Sequence, residues 1–371
     1  MTDGTIAYDK LAERMGAPGS VRFAKILEAM MTPDEADILV DVSSPMTLAE
    51  IAAKTNIDEK TLKNKLDDME ERQVIRKMGD RYHTPANIVM FHHGAIGWMR
   101  EDLKKKVYPL WGDFFFEEWR DILVDGFIQR KESGAPGAHR VIPSHQALKA
   151  SPKVKSEDIL WYEDMEQILR RSERTSFMMC GCRGLWRKCD SPVDVCLQVQ
   201  FPPEDGEQKG EAPQYIKPPK DVTFEEALDT INKCEDHGLV HIPLNTAYGD
   251  LICNCCDDCC MVINPMLNRG GGVIWDILTP SRYRAVVDQE LCSSCQTCVK
   301  RCKFDAIEMV DVPGSDNPKA KIINEHCLGC GVCVVKCPKQ ALTMEVIRPP
   351  EHIPTVSVME LMMGGQKSPM G

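Results

Sequence analysis

Residues 292–307 read CSSCQTCVKRCKFDAI, and residues 327–342 read CLGCGVCVVKCPKQAL. Each copy spaces its cysteines as C-x2-C-x2-C-x3-C, and the second begins thirty-five residues after the first, Cys327 against Cys292. Eight cysteines repeated in register do not arise by chance; they mark one structural unit used twice. Paired zinc sites are the plain alternative. Zinc ribbons, however, use C-x2-C pairs set apart by longer spans, and a third cysteine at i+6 is surplus to a tetrahedral pair. Apolar residues follow each copy, in FDAIEMV and KQALTMEV, where short helices and strands are expected to cover the loops.

The repeat resembles the bacterial two-cluster ferredoxin over roughly residues 283–348. The resemblance implies two 4Fe-4S clusters. Cys292, Cys295, Cys298 and Cys337 would hold one, and Cys327, Cys330, Cys333 and Cys302 the other, because in that family the fourth cysteine of each copy reaches across to the other cluster. Two departures stand out. Pro338 follows Cys337 as the pattern expects, but Lys303 follows Cys302, and Gln296 stands where the second copy has Gly331. Proline there shapes a turn and is not a ligand, so its absence leaves ligation intact and bears on solvent access or potential.

The rest of the chain agrees with a metal-rich, reducing setting. It has 371 residues, 18 of them cysteine, and opens with MTDGTIAYDKLAERMG, which lacks the apolar run of a secretory leader. A cytoplasmic location is therefore expected, where clustered cysteines are metal ligands or redox groups more often than disulfides. No apolar run reaches the roughly 18 residues that span a bilayer. The formal net charge of -11 argues against general affinity for phosphate backbones and suits docking onto basic patches of protein partners.

Of the ten remaining cysteines, nine are expected to be metal ligands: Cys180, Cys182, Cys189, Cys196, Cys253, Cys255, Cys256, Cys259 and Cys260. Two stretches share a design. WYEDMEQILRRSERTSFMMCGCR and TFEEALDTINKCEDHGLVHIPLNTAYGDLICNCC each read as a helix, a β-rich segment and a C-x-C at the strand end, where α/β proteins place ligands. Cys182, Cys189 and Cys196 follow at equal spacings of seven, and with one thiol from 253–260 they would complete a cluster, the surplus serving a second. Iron-sulfur is favoured because a neighbouring two-cluster module gives electrons somewhere to go; zinc stays open, since four thiolates suit it equally.

The region CGCRGLWRKCDSPVDVCL with ICNCCDDCC resembles a group of poorly characterised 4Fe-4S dicluster-domain proteins of anaerobic bacteria and archaea, across about residues 156–348. That resemblance implies electron transfer to or from a larger redox enzyme, a flavoprotein or a heterodisulfide-reductase-like complex. Among smaller features, Gly270–Gly272 read as an interdomain turn, the Pro- and charge-rich stretch near 202–220 as a surface insertion, and His237 and His241 as core histidines.

The amino-terminal part reads as helical. TPDEADILVDVSS opens with a threonine cap, a proline and acids, then an apolar stripe at Ile38, Leu39 and Val42. Thr47 and Glu50 form a capping box, Leu62, Leu66 and Met69 recur at helical spacing, and IRKMGDRYHT alternates around Gly79-Asp80 as a hairpin. This resembles the winged helix-turn-helix family. Its groove-reading helix, however, would carry Lys60, Lys63, Asn64 and Lys65 and then Asp67, Asp68, Glu70 and Glu71, so dimerisation or partner docking is expected rather than DNA binding. The aromatic residues after it are expected to build core.

The whole reads as an α+β multidomain protein: a winged-helix-like helical domain (1–130), a linker (131–155), a cysteine-rich αβ domain (156–280), a two-cluster ferredoxin-like domain (281–350) and a mobile or docking tail (351–371). The expected role is electron transfer within an oxidoreductase complex. A redox-sensing winged-helix regulator, or an iron-sulfur reductase with a substrate site in the middle domain, are the competing roles.

Overall fold

The computed structural model describes residues 3–98, 101–202, 220–268, 273–358 and 361. The insertion expected over most of 203–219 and the Gly270–Gly272 turn lie outside them. The chain forms two compact units, one built on the residues up to Ile122 and one from Leu123 onward, except that Gly184–Trp186 group with the first.

The first unit is mainly helical, and local chemistry sets its boundaries. Pro33–Asp41 starts behind Thr32, whose backbone N–H donates to Glu35 Oε2 at 2.8 Å, and Leu48–Thr55 starts behind Thr47 with the same reciprocal bonds to Glu50. Glu59–Glu71 buries Leu62, Leu66 and Met69 on one face. Three short strands follow the order β1-β3-β2: β1 (Met46–Thr47), β2 (Arg76–Met78) and β3 (Arg81–His83). The tight turn between β2 and β3 uses Gly79 at φ +61°. Behind them Phe23, Phe91, Trp111, Phe114 and Trp119 form one buried aromatic cluster with centroids 5.1–6.0 Å apart. On Glu59–Glu71, Lys63 is paired with Asp67 at 2.5 Å, which takes one of its few bases out of play.

The second unit is organised on a five-stranded antiparallel sheet of order β6-β4-β5-β8-β7: β4 (Arg174–Met179), β5 (Asp194–Gln200), β6 (Lys220–Asp221), β7 (Val240–Pro243) and β8 (Leu251–Cys255). Helices Met165–Arg171 and Phe224–Asp236 cover one face, where Ile168, Leu169, Ala227 and Ile231 meet Phe177, Leu197, Val199 and Ile252. The two repeats supply two further ribbons. β9 (Tyr283–Val287) pairs with β12 (Leu342–Val346), and β10 (Ile307–Val310) with β11 (Lys319–Ile322), all antiparallel.

Three stretches near the expected boundaries make long-range contacts. Residues 131–155 pair with distant segments of the chain. His139, Arg140 and Ile142 make bridges to Leu244, Thr279 and His241, so the segment lies along the edge of β7, with Val141, Ile142 and Ser144 buried. Buried backbone must find partners, and here it finds them on distant strands. The cysteine-rich and ferredoxin-like regions fall in the same compact unit. Arg301 explains part of this: its guanidinium donates to the carbonyls of Glu235, Asp236 and Val332, closing the carboxy-terminal end of helix Phe224–Asp236 against the repeats. Finally, the start of the expected tail is held in place, since Ile353 is buried and Ala247 N–H donates to Pro354 O at 2.9 Å.

Candidate metal centres

The repeat cysteines fall into two groups. Cys292, Cys295, Cys298 and Cys337 line one pocket together. Cys302, Cys327, Cys330 and Cys333 interact electrostatically with one another, which puts the last cysteine of the first copy among the first three of the second. The repeat is visible in the backbone. Ser294, Gln296 and Asp305 take positive φ, and thirty-five residues on so do Gly329, Gly331 and Gln340. Matching amides point at sulfur, Ala306 N–H to Cys302 Sγ and Ala341 N–H to Cys337 Sγ, both at 3.3 Å. Such bonds favour the thiolate, the form that binds metal. Burial opposes it, pushing Cys298, Cys302 and Cys333 up and Cys330 up to about 12, so metal must offset the cost of charging them.

Six middle-region cysteines form a second assembly. Cys180 contacts Cys182 and Cys196, Cys182 contacts Cys260, Cys260 contacts Cys255, Cys255 contacts Cys253, and Cys253 contacts Cys196, which closes a ring of six thiols. The sheet makes this possible. Cys196 on β5 lies opposite Met178 on β4, Cys253 and Cys255 end β8, and Cys180 caps helix Gly181–Trp186, whose first turn carries Cys182. Hydrogen bonds from neighbouring thiols hold Cys180 and Cys260 well below the usual thiol range, while the same bonds hold Cys182, Cys196 and Cys255 above it. Backbone amides reinforce the lowered pair: Arg183 N–H donates to Cys180 Sγ at 3.5 Å, and Val262 and Ile263 N–H to Cys260 Sγ at 3.4 Å.

The remaining three expected ligands stand elsewhere. Cys189, Cys256 and Cys259 gather with Asp258, all four donor atoms within 4.8 Å of one another, a set that could hold a metal ion. The expected trio Cys182, Cys189 and Cys196 is thus divided. Cys182 lies on a helix and Cys196 on β5, both in the ring, while Cys189 sits in the loop between and turns to the other set.

Arg183 lies between the two assemblies. It is fully buried, donates to Pro192 O at 2.6 Å and Asn254 O at 3.0 Å, hydrogen-bonds Cys256 and faces Cys180 and Cys255. Neither Arg183 nor Asp258 is among the expected ligands. Arg183 is the fourth letter of the C-x-C-R pattern and Asp258 one of the two aspartates in ICNCCDDCC, so both signals were in plain sight. Cys234 joins neither set: burial pushes its thiol up to about 12, and its helix packs in the core. His241 is buried between Asn254 Oδ1 at 2.5 Å and Glu235 Oε1 at 3.0 Å.

The ring and the second repeat group share one apolar core. Cys255, Cys260 and Cys330 are buried in it, and Cys253 and Cys302 pack against it beside Phe304, Leu328 and Val332. Lys303 adds a polar tie, an ion pair to Asp257 at 2.8 Å.

Residues 291–342 match the 4Fe-4S dicluster domain family. All eight repeat cysteines fall within the matched span. A dicluster domain equips the chain for iron-sulfur electron transfer. A comparison with curated proteins finds no match to the chain. Among the described residues, no helix is long and apolar enough to cross a membrane.

Proposed function

We propose that the chain carries single electrons between a protein partner and a metal centre in its middle region, as an electron-transfer subunit of a larger oxidoreductase in the cytoplasm of an anaerobe. Cys292, Cys295, Cys298 and Cys337 hold a first 4Fe-4S cluster, Cys327, Cys330, Cys333 and Cys302 a second, and the six-thiol ring a further iron-sulfur centre. Bound clusters of this kind supply one-electron transfer at potentials set by burial and hydrogen bonds to sulfur. The single observation that carries the reading is the common core: thiols of the second repeat group and of the ring lie in or against one apolar cluster. Cys295, exposed and on the opposite repeat loop, marks the end that meets the partner, for which a flavoprotein or heterodisulfide-reductase-like complex is the class we favour.

The amino-terminal unit, with its helix, strand, two helices and β2–β3 hairpin, supports a winged-helix-like module, and the pairing of Lys63 favours docking or homodimerisation over DNA reading. The test is iron, acid-labile sulfide and EPR on protein purified without oxygen. We expect iron clearly above the roughly eight atoms of two clusters, and a third reducible signal. Eight irons and the spectrum of two clusters alone would remove the middle centre from the path.

A further inference from the structure

The middle-region thiols are not one ligand pool. Cys189 Sγ stands 3.9 Å from Cys256 Sγ and 3.9 Å from Cys259 Sγ. Tetrahedral thiolates on one zinc, with Zn–S near 2.3 Å, must lie ~3.8 Å apart. Thiolates on separate corners of a cubane are held ~6 Å apart, because each reaches outward from its own iron. Among the described residues, Cys189, Cys256, Asp258 and Cys259 are the one set of three or more metal-binding side chains whose donor atoms all converge within 4.8 Å. Among the described residues, no three donor atoms of the repeat groups or the ring converge in this way, although neighbouring ring thiols touch, Cys260 Sγ lying 3.3 Å from Cys255 Sγ.

Asp258 supplies the independent observation. Its carboxylate is in hydrogen-bond contact with Cys189, Cys256 and Cys259, yet its Oδ1 is buried with no hydrogen-bond partner among the described residues. A carboxylate already in contact with three converging thiols supplies the fourth donor of the set. The groups that orient the set are also present. Arg183 hydrogen-bonds Cys256, and the Lys188 backbone hydrogen-bonds Cys259.

We propose that Cys189, Cys256, Cys259 and Asp258 hold one tetrahedral divalent ion, zinc by the softness of three thiolates and one carboxylate, separate from the polynuclear centre of the six-thiol ring. This rests on the reading that the middle region binds metal. With all four positions filled by protein the ion has a structural part: it fastens the 187–193 loop to the segment after β8, and with Arg183 it stiffens one side of the ring.

The experiment is metal analysis with EPR on the full chain, purified without oxygen, for the wild type and for Cys189→Ser, Asp258→Asn and Cys180→Ser. We expect about one zinc in the wild type and a loss of about tenfold in Cys189→Ser, with iron and EPR signals unchanged. Asp258→Asn, the milder change, should hold zinc that a chelator strips at least about tenfold faster. Cys180→Ser should lose iron and keep zinc. Loss of iron in Cys189→Ser, or a wild type that binds no zinc, overturns the proposal. Failure of the electron-transfer reading looks different: iron stays near eight in the wild type and in Cys180→Ser, while the zinc results stand unaltered.

Discussion

The two ferredoxin-like repeats share a backbone and differ in what covers it. Cys295 and Cys330 occupy equivalent places, yet Cys295 is exposed and held below the usual thiol range by a hydrogen bond with Thr297, whereas Cys330 is buried and pushed up to about 12. Gln296 and Gly331 both adopt left-handed backbone, at φ 60° and 73°. Only the second site is closed over. A Cβ on Gly331 would lie 2.7 Å from Ala147 Cβ, and one on Gly329 would lie 2.2 Å from Tyr283 O. Ser144 and Ser281 cap the same loop, donating to the carbonyls of Cys330 and Gly329. Glycine in this motif is therefore demanded less by φ than by the neighbour that lies on the loop. The first copy, with its loop open at Cys295, tolerates glutamine. One repeat faces outward and the other inward, which gives the pair a direction that its near-symmetry alone would not.

The contrast can be tested by exchange. The largest effect is expected from the paired cysteines. Cys330→Ser should cost about four irons and also lower the thermal midpoint, whereas Cys295→Ser should disturb only the first cluster and leave the fold intact. Equal destabilisation by both would mean that the inward and outward loops are not distinct. Next comes the glycine. Gly331→Ala places a side chain in left-handed backbone against Ala147 and should destabilise by about 2 kcal/mol or more in chemical denaturation. Gln296→Gly should change stability by no more than about 1 kcal/mol, in the stabilising direction. The smallest effect is expected at the position that departs from the motif. Lys303→Pro restores the residue that the second copy uses, so iron content should hold. Loss of the pair with Asp257, which is partly exposed, should cost only about 0.5 kcal/mol in chemical denaturation.

Local chemistry was legible in the sequence wherever the signal was local. The capping boxes at Thr32 and Thr47, the turn at Gly79 and the C-x2-C-x2-C-x3-C loops each place their own determinants within a few residues. What could not be read was set by distant partners. The spacing of seven between Cys182, Cys189 and Cys196 suggested a single set, but a helix, a loop and a strand send those three side chains to different places. Residues 131–155 looked like a linker because the stretch is rich in Gly, Pro and Ser. Their pairing with His241, Leu244 and Thr279 leaves no trace in composition beyond the lone apolar pair Val141-Ile142.

That same segment has a consequence for how the protein is made. Ser144 bonds the carbonyl of Cys330, 186 residues further along the chain, and Ile142 bonds His241. A ribosome delivers the segment long before its partners exist, and closing so long a loop is slow. The strap can therefore seat only after the second cysteine loop has emerged, so synthesis of the last repeat and closure of the middle region become a single late event in the life of the nascent chain.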